Sequence, residues 1–294
     1  MSAPLSVIIP LWNSPVIERV LAAIEPQVRA LPGAEVLVVG ADGPGLARAS
    51  DVTRLLPTWP SANGSVNRNL GMRAARGAIL LFIDHDCIAA PDLVARHLAR
   101  HAAGESVVGG AVRFARRPYA QLADNVSAFH DLLPYTRPGP RPYLATANLS
   151  LRREVAEAVG PLDPALRRAH DLEWTVRMRA LGYRLYFEPT ALVTHDQPRR
   201  TLGVLWRHWR DDARDTLPVR LRYRELLRTP ALAAWRPIFL WGAPLVAAWA
   251  TARTYSHPRT LVAYGRALPL VYLTKLAWCW GAFRAFPRRQ GGRP

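Results

Sequence analysis

The sequence predicts an α/β fold with a mostly parallel β-sheet and helices on both faces, followed by a hydrophobic helical C-terminal region. Short apolar runs of strand length alternate with segments of helical periodicity over the first 200 residues. The run at residues 78–83 is too continuously apolar for a strand with one solvated face. Near residue 200 the composition changes to long apolar, Trp-rich stretches. We therefore divide the chain into residues 1–200 and residues 201–294.

Composition limits the classes of partner. Half of the 294 residues are hydrophobic, so a folded core is expected, and the formal net charge is +17. No acidic residue follows Glu225, and the basic residues beyond it lie among apolar and aromatic runs. That combination favours an anionic membrane surface over nucleic acid. The two cysteines exclude a disulfide framework, and the N-terminus has no basic region typical of a secretory signal. We expect the catalytic part on the cytoplasmic side of the cell membrane.

The first elements are predicted to be strand, helix and strand. Residues 5–10 form the first strand, Ser14 is the expected N-cap of the helix, and residues 35–39 form the second strand. The loop GADGPG at residues 40–45 has glycine spacing that suggests a dinucleotide site, but Pro44 lacks an amide that such a site uses. A simple turn is the alternative, in which Asp42 is still a candidate contact for a nucleotide base.

The central helix and strand carry the most polar chemistry. Residues 66–75 are predicted to form a helix with an apolar stripe, and Gly77 ends it before the strand. Asn67, Arg68 and Asn69 crowd the expected ligand side of the sheet. Arg68 is either a solvated charge or a partner for a phosphate or carboxylate.

Two acids follow the central strand directly. Asp84 and Asp86 lie at its carboxyl end, where ligands bind in parallel sheets. Carboxylates suit Mg²⁺ or Mn²⁺, which commonly take substrate phosphates as further ligands. A solvated loop is the alternative, but His85 and Cys87 replace the usual turn residues.

Three histidines and one further acid complete the set of candidates. Asp171 is predicted to cap a helix, which also places a carboxylate at the mouth of the sheet, where a base can act. His97 and His101 lie four apart with no neighbouring acid or cysteine, so we predict surface histidines. His195 ends the alternating part of the chain and is either structural or a metal ligand.

Four segments in order resemble family 2 glycosyltransferases with the GT-A fold, over about residues 4–200. They are SVIIPLWN, NRNLGMRAARGAILLFIDHD, TANLSLRREVAEAVGPLD and HDLEWTVRMRALGYRLYFEPTALVTH. The resemblance implies a nucleotide-diphospho-sugar donor and a Mn²⁺ or Mg²⁺ cofactor. It places Pro10 and Asp42 near the nucleotide base, Asp84 near the ribose or metal, and Asp86 on the metal.

The resemblance also implies the remaining roles. Asp171 matches the general base that faces the acceptor hydroxyl, His195 matches a histidine that completes the metal site in some relatives, and transfer inverts the anomeric centre. The sequence departs from the family twice. GADG replaces the usual Asp-Asp-Gly run after the second strand, and His170 replaces the Glu before the base. A charged His170 would lower the pKa of Asp171, and a neutral one would only orient it.

The C-terminal region is predicted to associate with the membrane. Residues 237–252 and 267–283 are apolar but slightly short of a comfortable bilayer span, and Lys275 interrupts the second. A membrane hairpin, a surface helix and a buried subdomain are the three alternatives. An acceptor that is a lipid or lipid-linked would follow from membrane attachment. Two other functions stay open: a non-catalytic membrane-bound sugar-nucleotide binder, and a nicotinamide-dependent oxidoreductase that uses residues 40–45.

Overall fold

The structure is a computed structural model that describes residues 3–114, 118–196 and 201–286. The chain divides into two compact units. The first contains Met1–Ala115 and Asp131–Gln197, and the second contains Arg116–His130 and Pro198–Pro294. The predicted boundary at residue 200 falls within residues 197–200, which lie outside the described residues. Arg116–His130 belongs to the second unit, and the sequence did not predict that assignment.

The strands of the described residues form one sheet in the first unit. They are β1 (Ala3–Trp12), β2 (Glu35–Ala41), β3 (Thr53–Pro57), β4 (Gly77–Ile83), β5 (Cys87–Ala89), β6 (Val107–Phe114), β7 (Gly139–Pro140), β8 (Asn148–Arg152) and β9 (Leu185–His195). Their order is β3-β2-β1-β4-β8-β6-β9-β5, and β7 pairs with β9.

The α-helices of the described residues are distributed over both units. They are α1 (Ile17–Arg29), α2 (Gly64–Ala74), α3 (Leu93–Ala102), α4 (Tyr119–Phe129), α5 (Arg153–Val159), α6 (His170–Ala180), α7 (Leu202–Arg222), α8 (Ala243–Thr254), α9 (Pro258–Tyr264) and α10 (Leu268–Arg284). Helices α1, α2, α3, α5 and α6 belong to the first unit, and the other five belong to the second.

The sheet is mixed rather than uniformly parallel. Strands β3, β2, β1 and β4 run parallel, β8 lies antiparallel between β4 and β6, and β9 is parallel to β6. Strand β4 therefore lies between β1 and β8, and Leu80 to Ile83 are buried, as the continuous apolar run predicts. Because β1, β2, β4 and β9 point the same way, their carboxyl ends meet at one edge of the sheet.

One local prediction about α1 is wrong, and the sequence has no signal for β3. Helix α1 has Val16 as its N-cap, and Ser14 instead donates from Oγ to the carbonyl of His85 at 2.8 Å. Strand β3 pairs with β2 where the sequence indicated no strand. Only Thr53 of β3 is fully buried, because the strand lies at the sheet edge, and an edge strand shows little of the apolar pattern used to find strands.

The buried face of α2 is polar, not the predicted apolar stripe. Its buried residues are Ser65, Asn67, Arg68, Asn69 and Gly71. Gly71 allows the helix to approach the sheet, since a Cβ there would lie 2.5 Å from Cγ2 of Ile8. The helix therefore presents hydrogen-bonding groups, instead of leucines, to the strands beneath it.

The prediction of surface histidines on α3 is also wrong. His97 is 0% exposed and His101 is 2% exposed. The hydroxyl of Ser150 lies 2.8 Å from Nδ1 of His97 and 2.7 Å from Nε2 of His101. Burial lowers the pKa of His97 from 6.5 to about 4, even though the hydrogen bond with Asn148 opposes that shift. Both histidines thus belong to the core of the first unit.

The second unit is a helical assembly around α10. Helix α10 packs on α4, α7 and α8. Asp124, 2% exposed, accepts a hydrogen bond from Nε1 of Trp209 at 2.9 Å, and the ammonium of Lys275 lies 5.0 Å from the centre of the same indole. Lys275, which the sequence left as an interruption in an apolar run, therefore contacts the interior of this unit.

The two apolar stretches, for which a membrane hairpin was one of three alternatives, overlap α8, with 12 residues, and α10, with 17 residues. Within the three described parts of the chain, no helix combines the length and the apolar character that crossing a bilayer requires.

Candidate active site

The segment between the paired acids is anchored to the start of the chain. The carbonyl of Asp84 accepts the amide of Cys87 at 2.9 Å, which closes a tight turn after β4. Nδ1 of His85 donates to the carbonyl of Pro10 at 2.9 Å, and the carbonyl of His85 accepts from Ser14. Because His85 is held through both its ring and its backbone, the acids on either side of it leave the turn in fixed directions.

Asp84 points toward α2 and forms an ion pair with Arg68. Nη2 of Arg68 donates to Oδ1 of Asp84, and the arginine is 3% exposed. Nη1 of the same guanidinium lies 3.1 Å from Nε2 of His170. Since arginine only donates, Nε2 of His170 is the acceptor and the imidazole carries its proton on Nδ1. His170 is thus neutral in this contact, which favours the orienting role among the two alternatives.

Asp171 lies in the first turn of α6 rather than at its cap. Ala169 is the N-cap, with a left-handed φ of 51°, and the helix begins at His170. Oδ1 of Asp171 accepts the amide of Leu172 at 2.8 Å. The prediction that Asp171 caps the helix is therefore wrong by two positions, but the carboxylate remains at the positive end of the helix.

The pKa of the Asp171 carboxyl is raised above its usual range. Burial is the main cause, and the negative charge of Asp84 acts in the same direction. The hydrogen bond from Leu172 and the positive charge of Arg68 oppose it. Asp171, Asp84 and Arg68 thus form one electrostatic group. A carboxylate with a raised pKa is a better proton acceptor than an exposed one, which suits general base catalysis.

Asp86 points to the other side of the turn and meets β9. Strand β5 pairs antiparallel with β9 so that Cys87 lies opposite His195. Nε2 of His195 is 3.5 Å from Oδ2 of Asp86, and both residues are buried. The amide of Asp196 donates to the carbonyl of Asp86 at 2.8 Å, which fixes the loop against the end of β9.

Asp86 and His195 fit a divalent metal ion. Within the part of the chain that the structure describes, the one candidate group of three metal ligands is Asp86, Cys87 and His195, whose ligand atoms lie within 4.8 Å of one another. Carboxylate and imidazole suit Mn²⁺. Burial raises the pKa of the Cys87 thiol well above its usual range, and the charge of Asp86 adds to this. A protonated thiol is a poor ligand for such an ion.

The predicted metal set is therefore brought together only in part. Asp86 and His195 lie side by side, but Asp84 is outside this group and is paired with Arg68. Asp84 and Asp86 contact different residues because the chain turns sharply between them. A direct metal contact by Asp84 would have to use Oδ2, because Oδ1 is held by the guanidinium.

The loop after β2 is a turn held by Asn13 and Asp42. Oδ2 of Asp42 accepts the amide of Ala47 at 2.7 Å, and Oδ1 of Asn13 accepts the amide of Gly43 at 2.7 Å. Oδ1 of Asp42 is buried with no hydrogen-bond partner among the described residues. That oxygen is available to a donor group of a ligand, and the prediction of a base contact by Asp42 remains a prediction.

Asn69 and Pro10 have structural contacts. Both polar groups of the Asn69 amide bond to the backbone of Leu162, at 2.8 and 2.9 Å. These two bonds hold the amide in place, and the predicted nucleotide contact of Asn69 remains a prediction. Pro10 is buried in β1, and its carbonyl is used by His85.

Sequence reasoning missed the residues that position the acids. Ser14 and His85 fix the turn, His170 links Arg68 to the start of α6, and Cys87 lines the metal-ligand group. The unusual residues in the His85 to Cys87 turn were the available signal. Nothing in the sequence around Ser14 distinguishes an N-cap from a contact with a distant loop.

Comparison with known proteins identifies the family. The profile of glycosyl transferase family 2 matches residues 50–160. Glycosyltransferase AglE of Haloferax volcanii is 31% identical over 241 residues, which cover 78% of this chain and 79% of that protein.

Solved structures share the fold. The mannosyltransferase PcManGT of Pyrobaculum calidifontis, solved with GDP-Man and Mn²⁺, aligns with a TM-score of 0.59 at 22% identity, over 96% of this chain and 85% of its own. GalNAc-T7, solved with UDP, GalNAc and Mn²⁺, aligns with a TM-score of 0.55 at 13% identity, over 96% of this chain and 56% of its own. These likenesses favour the GT-A fold over a nicotinamide-binding one. The chain therefore belongs to glycosyl transferase family 2 and is a glycosyltransferase.

Proposed function

We propose that this glycosyltransferase moves a sugar from a nucleotide-diphospho-sugar to an acceptor hydroxyl by a single inverting displacement that depends on a divalent metal ion. The observation that carries this proposal is the pair of sites on the two sides of the Asp84–Asp86 turn. One side holds Asp86 with His195, and the other holds Asp171 with Arg68 and Asp84.

The donor class is supported by the fold relatives and by one buried oxygen. PcManGT and GalNAc-T7 were solved with GDP-Man and with UDP and GalNAc, so the shared fold accommodates nucleotide sugars of different bases. In this chain the unpartnered Oδ1 of Asp42 lies after β2 at the carboxyl edge of the sheet. A base amine or a ribose hydroxyl would satisfy it.

Asp86 and His195 would hold the metal ion. When bound, Mn²⁺ or Mg²⁺ supplies a Lewis acid that neutralises the charge of the departing diphosphate. The protein's contribution is to fix the two ligands before the donor arrives. His195 is fixed in β9, and Asp86 is fixed by its backbone bond to Asp196.

Asp171 is proposed as the general base. Its carboxylate would accept the proton of the attacking hydroxyl, and its raised pKa matches that task. Attack from the side opposite the leaving diphosphate inverts the anomeric centre. Asp84, paired with Arg68, supplies a nearby negative charge that adds to the raised pKa of Asp171.

We further propose that the acceptor is a lipid or lipid-linked sugar presented at the cytoplasmic face of the membrane. The support is compositional: no acidic residue follows Glu225, and Arg and Trp alternate with apolar runs there.

The test separates binding from turnover. Asp171→Asn should keep affinity for the donor nucleotide while turnover falls roughly 10²- to 10⁴-fold. Calorimetry would measure nucleotide affinity, and release of nucleoside diphosphate would measure turnover. Asp92→Asn, an exposed aspartate on the surface of the first unit, is the matched control. Unchanged turnover in Asp171→Asn would refute the role of Asp171. Donor binding without any release of diphosphate in the wild type would instead favour the non-catalytic sugar-nucleotide binder.

A further inference from the structure

Helix α8 in the second unit exposes an apolar face along its whole length. Its buried residues are Ala247, Thr251 and Thr254, and it packs on α10. The exposed residues recur at helical spacing and are Pro244, Leu245, Ala248, Trp249, Ala252 and Arg253. Arg253, at the C-terminal end, is the one charged residue in that set. An apolar face on the solvent side of a helix marks an interaction surface.

The exposure of the large side chains on this face is high. Trp241, two residues before the helix, is 82% exposed, Leu245 is 78% exposed and Trp249 is 56% exposed. Leu245 and Trp249 lie four apart, so they follow one side of the helix. We call Trp241, Leu245, Ala248, Trp249 and Ala252 the α8 outer face. Helix α9 continues the pattern, with Val262 at 89% and Leu261 at 50% exposure.

Exposed arginines lie on α8 and in the segment that follows it, where the sequence has no acids. Arg253 lies over the ring of Trp249, a residue of the α8 outer face, at 5.8 Å. Arg259 and Arg266 are also exposed. The sequence has no Asp or Glu after Glu225. A partner must therefore offer an apolar layer beside negative charge.

We propose that the α8 outer face inserts into the interface of an anionic lipid bilayer, with the helix parallel to the membrane plane and the arginines against lipid phosphates. This inference rests on the proposed membrane-held acceptor and names the surface that binds the lipid. At 12 residues α8 is too short to cross a bilayer but long enough to lie in one. Trp and Arg are side chains that suit the headgroup layer, since each has an apolar body and a polar end.

A second copy of this chain is a poorer occupant. Face-to-face pairing of two α8 outer faces would bring two sets of exposed arginines together with no acidic residue from this region to compensate them. Like charges at that separation repel, whereas a layer of anionic headgroups attracts both. Charge complementarity therefore favours an anionic lipid surface over a second copy of the chain as the partner of the α8 outer face.

The test uses the full-length protein and sedimentation with vesicles. Wild-type protein should bind phosphatidylcholine vesicles that contain phosphatidylglycerol, and bind pure phosphatidylcholine vesicles much less. The triple variant Trp241→Ser, Leu245→Ser, Trp249→Ser should lose about tenfold or more of the partition into anionic vesicles, because it removes the inserting side chains. Trp59→Ser, an exposed tryptophan of the first unit, is the matched control and should bind as wild type does.

A charge variant tests the second part of the proposal. Arg253→Gln should lower partition by roughly fivefold, the effect of one basic residue near an anionic surface, and raised salt should reduce that difference. Equal binding of the wild type to both kinds of vesicle would overturn the anionic preference. Unchanged binding of the triple variant would overturn the α8 outer face as the site. A wild-type dimer that the triple variant converts to a monomer, with no vesicle binding by either, would assign the face to self-association instead.

Nucleotide binding distinguishes this inference from the proposed function. Calorimetry with GDP or UDP and Mn²⁺, without vesicles, should give the same affinity for the triple variant and the wild type, because the substitutions lie outside the first unit. If the wild type binds neither nucleotide, the proposed function fails while the vesicle result still stands. If nucleotide binding is normal and vesicle binding is absent, the membrane surface fails alone.

Discussion

The buried histidine His97 predicts how acid destabilises the first unit. Its folded-state pKa is lowered from 6.5 to about 4, chiefly by burial. In the unfolded chain the imidazole is exposed and titrates near the ordinary value. Between those two values the unfolded state binds a proton that the folded state does not. The contribution of His97 to stability is therefore fully present above pH 6.5 and is lost as the pH falls toward 4.

The size of the effect follows from the two pKa values. One pKa unit corresponds to about 1.36 kcal/mol, so moving from about pH 7.5 to about pH 4.5 should lower the free energy of unfolding by roughly 2–3 kcal/mol through His97 alone. Solvent does not screen the imidazole in the folded protein, because the side chain of His97 is 0% exposed. Burial lowers the pKa of His101 too, which adds a loss of the same sign.

The assay is urea denaturation of the wild type and of His97→Gln at both pH values. Glutamine keeps hydrogen-bonding atoms near Ser150 and Asn148 but cannot titrate. Its fit is poorer, so the variant should be less stable at about pH 7.5. The diagnostic quantity is the further loss on acidification, which should be smaller in the variant by about 2–3 kcal/mol. Equal losses in the two proteins would show that His97 is not held neutral in the folded state.

The acceptor-only oxygens fix the tautomers of the two histidines. Oδ1 of Asn148 faces Nε2 of His97 at 2.8 Å and can only accept, so His97 carries its proton on Nε2. The carbonyl of Glu105 faces Nδ1 of His101 at 2.8 Å, so His101 carries its proton on Nδ1. The hydroxyl of Ser150 has one hydrogen, so it can donate to only one of the two remaining nitrogens, Nδ1 of His97 or Nε2 of His101. A proton that enters this group should go to the other nitrogen, because it gains a hydrogen bond to the Ser150 oxygen there.

Two further predictions concern the active site and one concerns the packing of β2 on β1. Asp86→Ala should abolish Mn²⁺-dependent stabilisation of the protein by nucleoside diphosphates in thermal unfolding, and a variant that keeps this stabilisation would contradict the metal assignment. Arg68→Gln should raise the pKa of Asp171 further, because it removes a nearby positive charge, so the acid limb of the kcat profile should move to higher pH; a limb that moves to lower pH would exclude Asp171 as its source. Gly40→Ala should destabilise the protein by several kcal/mol, since its φ is +153° and a Cβ there would lie 1.9 Å from the carbonyl oxygen of Leu11; urea denaturation measures this, and a stable variant would show that β1 and β2 can separate.

The sequence predicts those parts of the fold that local apolar pattern determines. The strands predicted at residues 35–39 and 78–83 agree with the structure, because a continuous apolar run reports burial directly. It also places Asp84, Asp86 and Asp171 near strand or helix ends. The pairing of Asp84 with Arg68 could not be predicted, since it depends on how α2 lies against β4. Only the family resemblance implied that Asp86 and His195 share one site, because their meeting depends on which strands lie side by side.

Buried polar residues are where the pattern fails. His97 and His101 were assigned to the surface because a histidine gives no apolar signal, yet the core supplies Ser150 and Asn148 as partners. A single sequence does not show that such partners lie opposite. The free-energy cost of burying these histidines of α3 is offset by hydrogen bonds to Asn148 and Ser150 of β8. The contact between α3 and β8 is long-range, so the local sequence pattern does not report it.

Helix α2 also departs from the predicted apolar pattern, and its buried polar residues have a functional explanation. An apolar stripe would have packed the helix on the sheet more simply, but the buried positions carry Asn67, Arg68 and Asn69. Asn67 bonds to Thr58 and Asn69 to Leu162, so these two fix the helix by hydrogen bonds at the positions on either side of Arg68. A buried guanidinium is costly unless paired, and its partners Asp84 and His170 belong to the proposed active site. The departure from the apolar pattern is thus the means by which the fold holds a positive charge beside Asp84 and Asp171.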